Sequence, residues 1–175
     1  MTARLFVAVW PSQPVVAALA RALEPLSAAY PELRWQTPGR WHITLAFLGE
    51  RDESRTVQRF ARMPAAIAGT LRLDSSGQFG PVLWIGVPDS GWLTTLATRT
   101  QHHMATEERR FRGHLTVARA RTATGRRQLA GAAKDLASFR SPLWTPQEVT
   151  LVRSTTGPHP SYEVIARTPL TAVEG

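Results

Sequence analysis

The chain has 175 residues, 43% of them apolar, which is enough to bury a sizeable core and too apolar for a disordered segment. Cysteine is absent, so disulfides and thiolate chemistry are excluded. The net charge of +8 is carried almost wholly by arginine, with Lys134 the only lysine, and the planar guanidinium group favours an anionic, phosphate-bearing partner.

The apolar run Leu5 to Trp10 reads as a first strand closed by Pro11. It is too short for a signal-peptide core or a bilayer span, so a cytoplasmic protein without membrane association is expected. Ser12 is placed to cap a helix from Gln13 to Ala29, with Val16, Leu19, Leu23 and Leu26 at helical spacing. Leu33 to Gln36 is a short strand, and Trp41 to Leu48 a longer one ended by Gly49. Asp52 caps a second helix, Glu53 to Ala66, with Val57, Phe60 and Ile67 inward. Leu71 to Leu73 and Val82 to Val87 read as paired strands. After Asp89-Ser90-Gly91 comes a third helix, Trp92 to Ala105, then a charged loop from Glu107 to Arg112 and a strand from His114 to Ala120. Thr124 caps a fourth helix, Gly125 to Ala137. Two strands, Glu148 to Arg153 and Tyr162 to Arg167, close the chain around Gly157-Pro158-His159-Pro160. Helices alternating with strand pairs specify an α+β fold rather than a doubly wound parallel sheet, and the two halves read as a duplicated strand–helix unit.

Two runs carry the chemistry: His42-Ile43-Thr44-Leu45 and His114-Leu115-Thr116-Val117. Side chains alternate along a strand, so each run sends His and Thr to one face and its aliphatic pair to the other. One such histidine alone is more often an ordinary, partly buried strand residue, and strand propensity accounts for the threonines. It does not account for the recurrence of His at the same offset. Two imidazoles across one cleft allow one neutral base and one protonated acid, which suits displacement at phosphorus. Threonine hydroxyls two residues on can donate to the non-bridging phosphoryl oxygens. Which histidine is acid and which is base stays open at this level.

Other chemistries find little support. Neither run offers a carboxylate or thiolate at zinc-ligand spacing. His102 and His103 are adjacent on a helix and diverge. Neither a phosphate-cradling glycine loop nor a Gly-x-Ser-x-Gly elbow is present. Trp35, Trp41 and Trp92 are candidates for exposed stacking surfaces, against core packing for most of the six tryptophans.

At these residues the chain resembles the 2H phosphoesterase superfamily, named for its two His-x-Thr-x motifs. It is most similar to the bacterial and archaeal RNA 2′,3′-cyclic phosphodiesterase branch, also called 2′-5′ RNA ligase-like. The resemblance rests on Trp41-His42-Ile43-Thr44-Leu45-Ala46-Phe47-Leu48-Gly49-Glu50 and on Phe111-Arg112-Gly113-His114-Leu115-Thr116-Val117-Ala118-Arg119. It extends to the first strand and to the closing Leu151-Val152-Arg153-Ser154…Gly157…Tyr162 pattern, so it spans essentially the whole chain.

The resemblance implies one bilobal unit over residues 1–175, with two pseudo-symmetric lobes of antiparallel sheet, helices outside and a central cleft. It implies metal-free, cofactor-free hydrolysis of RNA 2′,3′-cyclic phosphate ends, tRNA fragments among them, to 2′-phosphates by a monomer. It assigns His42 as proton donor, His114 as proton acceptor, and Thr44 and Thr116 as phosphate-binding residues. Alternatives are the same chemistry on another substrate, as 2′-5′ RNA ligation or cleavage or on small cyclic phosphates, and a non-catalytic module that grips RNA ends. The family commonly has Pro where this chain has Gly113, and the segment Met104 to Phe111 is short. Arg119 matches the family's trailing arginine, but simple alternation puts it on the opposite face from Thr116.

Overall fold

The computed structural model describes residues 1–88, 91–107, 110–156 and 160–171. Asp89 and Ser90 of the expected third-helix entry, and Gly157 to His159 of the last turn, lie outside the described residues.

In chain order the elements are β1 (Thr2–Val9), α1 (Gln13–Ala29), β2 (Leu33–Trp35), a 3₁₀ turn (Pro38–Arg40), β3 (Ile43–Asp52) and α2 (Glu53–Ala61). They continue with β4 (Asp74–Phe79), β5 (Val82–Gly86), α3 (Trp92–His103), β6 (His114–Ala120), α4 (Ala123–Leu136), β7 (Glu148–Ser154) and β8 (Tyr162–Pro169). The strands form an antiparallel sheet in the order β4-β5-β6-β3-β1-β7-β8, with β2 also pairing β6. This is the α+β architecture and element order that the sequence specifies.

The sheet has a narrow waist. β3 and β6 pair at a single position, Ile43 opposite Leu115, and both side chains are completely buried. Everything from β4 to β6 lies on one side of that pair and everything from β3 to β8 on the other. Helix α1 covers the sheet with Val15, Leu19 and Leu23, four residues apart on one stripe, and α4 does so with Leu129, Ala132 and Leu136. These residues join Ile43, Leu45, Leu115 and Val117 in one apolar core. Among the described residues no helix is long and apolar enough to cross a membrane.

Both His-Thr strands are bulged at the same place. Across β1 and β3, Val7 pairs Ala46 and Ala8 pairs Thr44, leaving Leu45 as an extra residue. Across β5 and β6, Leu83 pairs Ala118 and Trp84 pairs Thr116, leaving Val117 extra. A bulge resets the alternation of side chains. The burial sequences from Ile43 and from Leu115 are accordingly identical: buried, partly open, buried, buried, exposed, buried. Phe47 and Arg119 therefore stand on the same face as Thr44 and Thr116, which corrects the expectation from simple alternation for Arg119.

Several element limits differ from expectation for identifiable reasons. β3 runs through Gly49 to Asp52 because Gly49, at φ +69, takes up a second register shift instead of ending the strand. Helix α2 stops at Ala61, ahead of Pro64, and leaves Ile67 60% exposed rather than inward. Leu71 and Leu73 are buried, but Leu71 makes only an isolated bridge to Trp144; the strand is the polar stretch that follows, β4. Helix α4 is capped by Thr122 rather than Thr124, with the Thr122 hydroxyl accepting from the Gly125 N–H. Asp52 caps α2 as expected, accepting from the Arg55 N–H.

The waist makes Leu115 the residue whose truncation should hurt most. Leu115→Ala is expected to destabilise the fold by about 2–5 kcal/mol. In urea unfolding this reads as a lowered midpoint with an unchanged m-value.

Candidate functional site

The waist also builds the site. One residue either way from the Ile43–Leu115 pair, antiparallel register sets His42 opposite Thr116 and Thr44 opposite His114. The buried pair points to the core, so all four polar side chains point the other way, where each is partly open. The two histidines and two threonines form one cluster around the centre of the sheet.

Each imidazole is fixed in the same manner. His42 Nδ1 lies 2.8 Å from the carbonyl oxygen of Arg40, and His114 Nδ1 lies 2.8 Å from that of Arg112. A carbonyl only accepts, so each Nδ1 carries the proton and donates it. Nε2 is thereby left as the reactive nitrogen of both rings, a base when neutral and an acid when protonated.

The surroundings of the two rings differ. His42 is packed by three aromatic side chains: Phe6 stacks at 4.7 Å, Trp10 tilts at 5.3 Å and Tyr162 meets it edge-on at 5.2 Å between centroids. Trp10 is tied down by its indole N–H donating to the Thr150 hydroxyl, and the Arg40 guanidinium lies 4.5 Å over the Tyr162 ring. His114 meets Phe79 edge-on at 5.2 Å and borders a cavity of about 210 Å³ with Thr44, Phe47, Arg110, Phe111 and Arg112.

This enclosure lowers the pKa of His42 from 6.5 to about 4. Burial is the main cause; the hydrogen bond to the Arg40 carbonyl opposes it, and the charges of Arg40, His114 and Arg119 add to the lowering. That His42 feels both His114 and Arg119 agrees with their sharing its face.

Sequence reasoning located His42, His114, Thr44 and Thr116, and the structure brings all four together. It missed Phe47 and Arg119 as residues of this face, and the aromatic cage of Phe6, Trp10 and Tyr162. A signal for the bulges was present in the consecutive apolar pairs Leu45-Ala46 and Val117-Ala118, which break strict alternation. Trp41, a candidate stacking surface, is 2% exposed, with its indole N–H donated to the Gln36 carbonyl; Trp35 is half-buried and donates to the Tyr30 carbonyl. His103 lies outside the cluster, its ring nitrogen against the Arg59 carbonyl. Gly113 is tightly placed: a Cβ there would sit 3.0 Å from Leu93 and 3.2 Å from Val87. Among the described residues no group of three His, Cys, Asp or Glu is arranged to hold a metal ion.

An antiparallel α+β sheet with twin His-x-Thr strands meeting at its centre is the architecture of a 2H phosphoesterase. Residues 11–158 match the model of the 2′-5′ RNA ligase superfamily, and the chain belongs to that family. Solved structures agree in fold. The apo form of E. coli LigT superposes with a TM-score of 0.75 at 23% identity, covering 97% of this chain and 98% of that one. The E. coli LigT complex with NADP+ gives a TM-score of 0.74 at 24% identity, covering 98% and 99%. The protein TT0787 of Thermus thermophilus gives 0.71 at 24% identity, covering 98% and 100%.

The lowered pKa of His42 has a measurable effect on stability. As pH falls below 6.5 the unfolded chain takes up a proton at this residue, while the native protein holds it off until about pH 4. The unfolded state binds more protons throughout that window, so stability is lost as pH falls through it and is fully present above it. The slope is about 1.4 kcal/mol per pH unit, roughly 3 kcal/mol in all. His42→Gln should flatten the pH dependence of the urea midpoint between pH 6.5 and 4 by that amount.

Proposed function

We propose that the protein hydrolyses RNA 2′,3′-cyclic phosphodiester ends to 2′-phosphomonoesters by two-histidine acid–base catalysis without a metal. The observation that carries this reading is the register at the waist: two Nδ1-anchored imidazoles flank two threonine hydroxyls on one face. Displacement at phosphorus needs a proton removed on one side and delivered on the other, and donors for the oxygens between.

In this reaction water attacks phosphorus and gives its proton to Nε2 of His114. The P–O3′ bond breaks, and the departing 3′ oxygen takes the proton from Nε2 of His42. Thr44 and Thr116 donate to the two non-bridging oxygens. His42 is neutral at pH 7 in the free protein. A phosphate anion seated against it offsets the desolvation that keeps it so, and substrate and proton then bind together. Phe47, 65% exposed on the same face, offers a flat apolar surface for a nucleobase. E. coli LigT is known in complexes with phosphate and with 3′-AMP, groups of the kind this cluster would hold.

Turnover of a short RNA ending in 2′,3′-cyclic phosphate is expected, with a 2′-phosphate as product, identified by mass and phosphatase sensitivity. Replacing either histidine by alanine should lower kcat about 10²–10⁴-fold. Unchanged activity in both variants sinks the reading. The roles separate with a substrate whose bridging 3′ oxygen is replaced by sulfur, because a thiolate leaves without a proton. That substrate should restore turnover to His42→Ala and not to His114→Ala; the opposite pattern would exchange their roles.

A further inference from the structure

Beside the histidine–threonine cluster the sheet holds a pair of cations with no visible purpose in folding. Arg34 of β2 and Arg119 of β6 are direct register partners. Opposed residues of an antiparallel pair point to the same face with Cβ atoms about 4.5–5.5 Å apart, and like charges in that position destabilise the pair. Both side chains are exposed, and among the described residues neither makes an ion pair with a carboxylate. Two unneutralised guanidinium groups are therefore held together where an anion would relieve their repulsion.

Their position relative to the reaction centre is set by β6. Arg119 lies three residues beyond Thr116 across the bulge, roughly 7–10 Å along the strand. A cavity of about 400 Å³ opens on the Arg34 side of the pair, lined by Arg34, Trp35, Thr37, Arg40 and Ser161 among others, with Arg119 outside its lining. Arg40 contributes a third cation, and its Nε is buried with no hydrogen-bond partner.

We propose that Arg34 and Arg119, with Arg40 at the rim, form a second phosphate subsite for the 5′-phosphate of the nucleotide whose cyclic end is opened. This rests on the reaction proposed above. Base and sugar of that nucleotide are uncharged, so its 5′-phosphate is the nearest further anion, one nucleotide step from the reacting phosphorus. A guanidinium pair grips such a group bidentately and is of no use to a free nucleoside cyclic phosphate. The protein accordingly reads the end of an RNA chain and discriminates against free cyclic nucleosides.

The test compares kcat/KM for a nucleoside 2′,3′-cyclic phosphate, the same compound carrying a 5′-phosphate, and a dinucleotide with the same cyclic end. The two substrates with a 5′-phosphate should be preferred tenfold or more. Arg34→Gln should remove most of that preference and Arg34→Lys should keep part of it. Equal efficiency on all three substrates in the unaltered protein overturns the subsite, as does a proportional loss on all three in Arg34→Gln. If no cyclic substrate is opened at all, the reaction reading fails by itself and binding decides the subsite. Calorimetry should then show a nucleoside 3′,5′-bisphosphate binding at least tenfold tighter than the 3′-monophosphate, with the difference lost in Arg34→Gln. Equal affinities overturn it.

Discussion

One backbone pairing organises this molecule: Ile43 against Leu115. Among the described residues the strands of the two halves of the sheet pair only there, and its two side chains are driven inward by the same core that α1 and α4 cover. Strand geometry then leaves no freedom to the residues on either side. With Ile43 and Leu115 pointing down, His42, Thr44, His114 and Thr116 must point up, and antiparallel register sets each histidine opposite the other strand's threonine. The polar cluster is thus a consequence of hydrophobic burial beneath it. A slip of one residue at this pair would turn the imidazoles into the core and the aliphatic residues into solvent.

The paired bulges extend that logic outward. Without an extra residue at Leu45 and Val117, Phe47 and Arg119 would lie under the sheet, where an arginine could not be accommodated unpaired. With it, two consecutive residues on each strand are buried and the next is released to the upper face. The likeness of the two strands shows in this burial pattern more clearly than in residue identity: the equivalent positions hold an aromatic ring on one strand and a cation on the other. The face is symmetric in backbone and asymmetric in chemistry.

How much of this could be read from the chain follows from which forces act locally. α1 and β6 have the limits expected of them, because Pro11, Pro14 and apolar periodicity at 3.6 or 2 residues are local signals. The four cluster residues were legible because a repeated His-x-Thr is itself a local pattern. β4 was not, since Asp74-Ser75-Ser76-Gly77-Gln78-Phe79 has little intrinsic strand preference and is held by pairing to β5. The same holds for the face of Arg119 and for the aromatic cage. Bulges depend on what the neighbouring strand does, and Phe6, Trp10 and Tyr162 come to His42 from β1, its end and β8, far apart in sequence.

The cage explains how a nearly symmetric pair of histidines can be made unequal. Both rings donate Nδ1–H to the carbonyl two residues back at the same distance, so hydrogen bonding alone gives them one tautomer and one reactive nitrogen each. Acid–base work on opposite sides of a phosphorus atom requires different protonation on the two sides. Enclosure by three aromatic rings supplies a difference at His42 by penalising its charged form, and the nearby guanidinium groups push the same way. Those same positive charges attract an anion, and once an anion is seated their effect on His42 is cancelled. In the proposed reaction, burial keeps the ring neutral while the cleft is empty, and the substrate's own charge supplies the condition for protonating it.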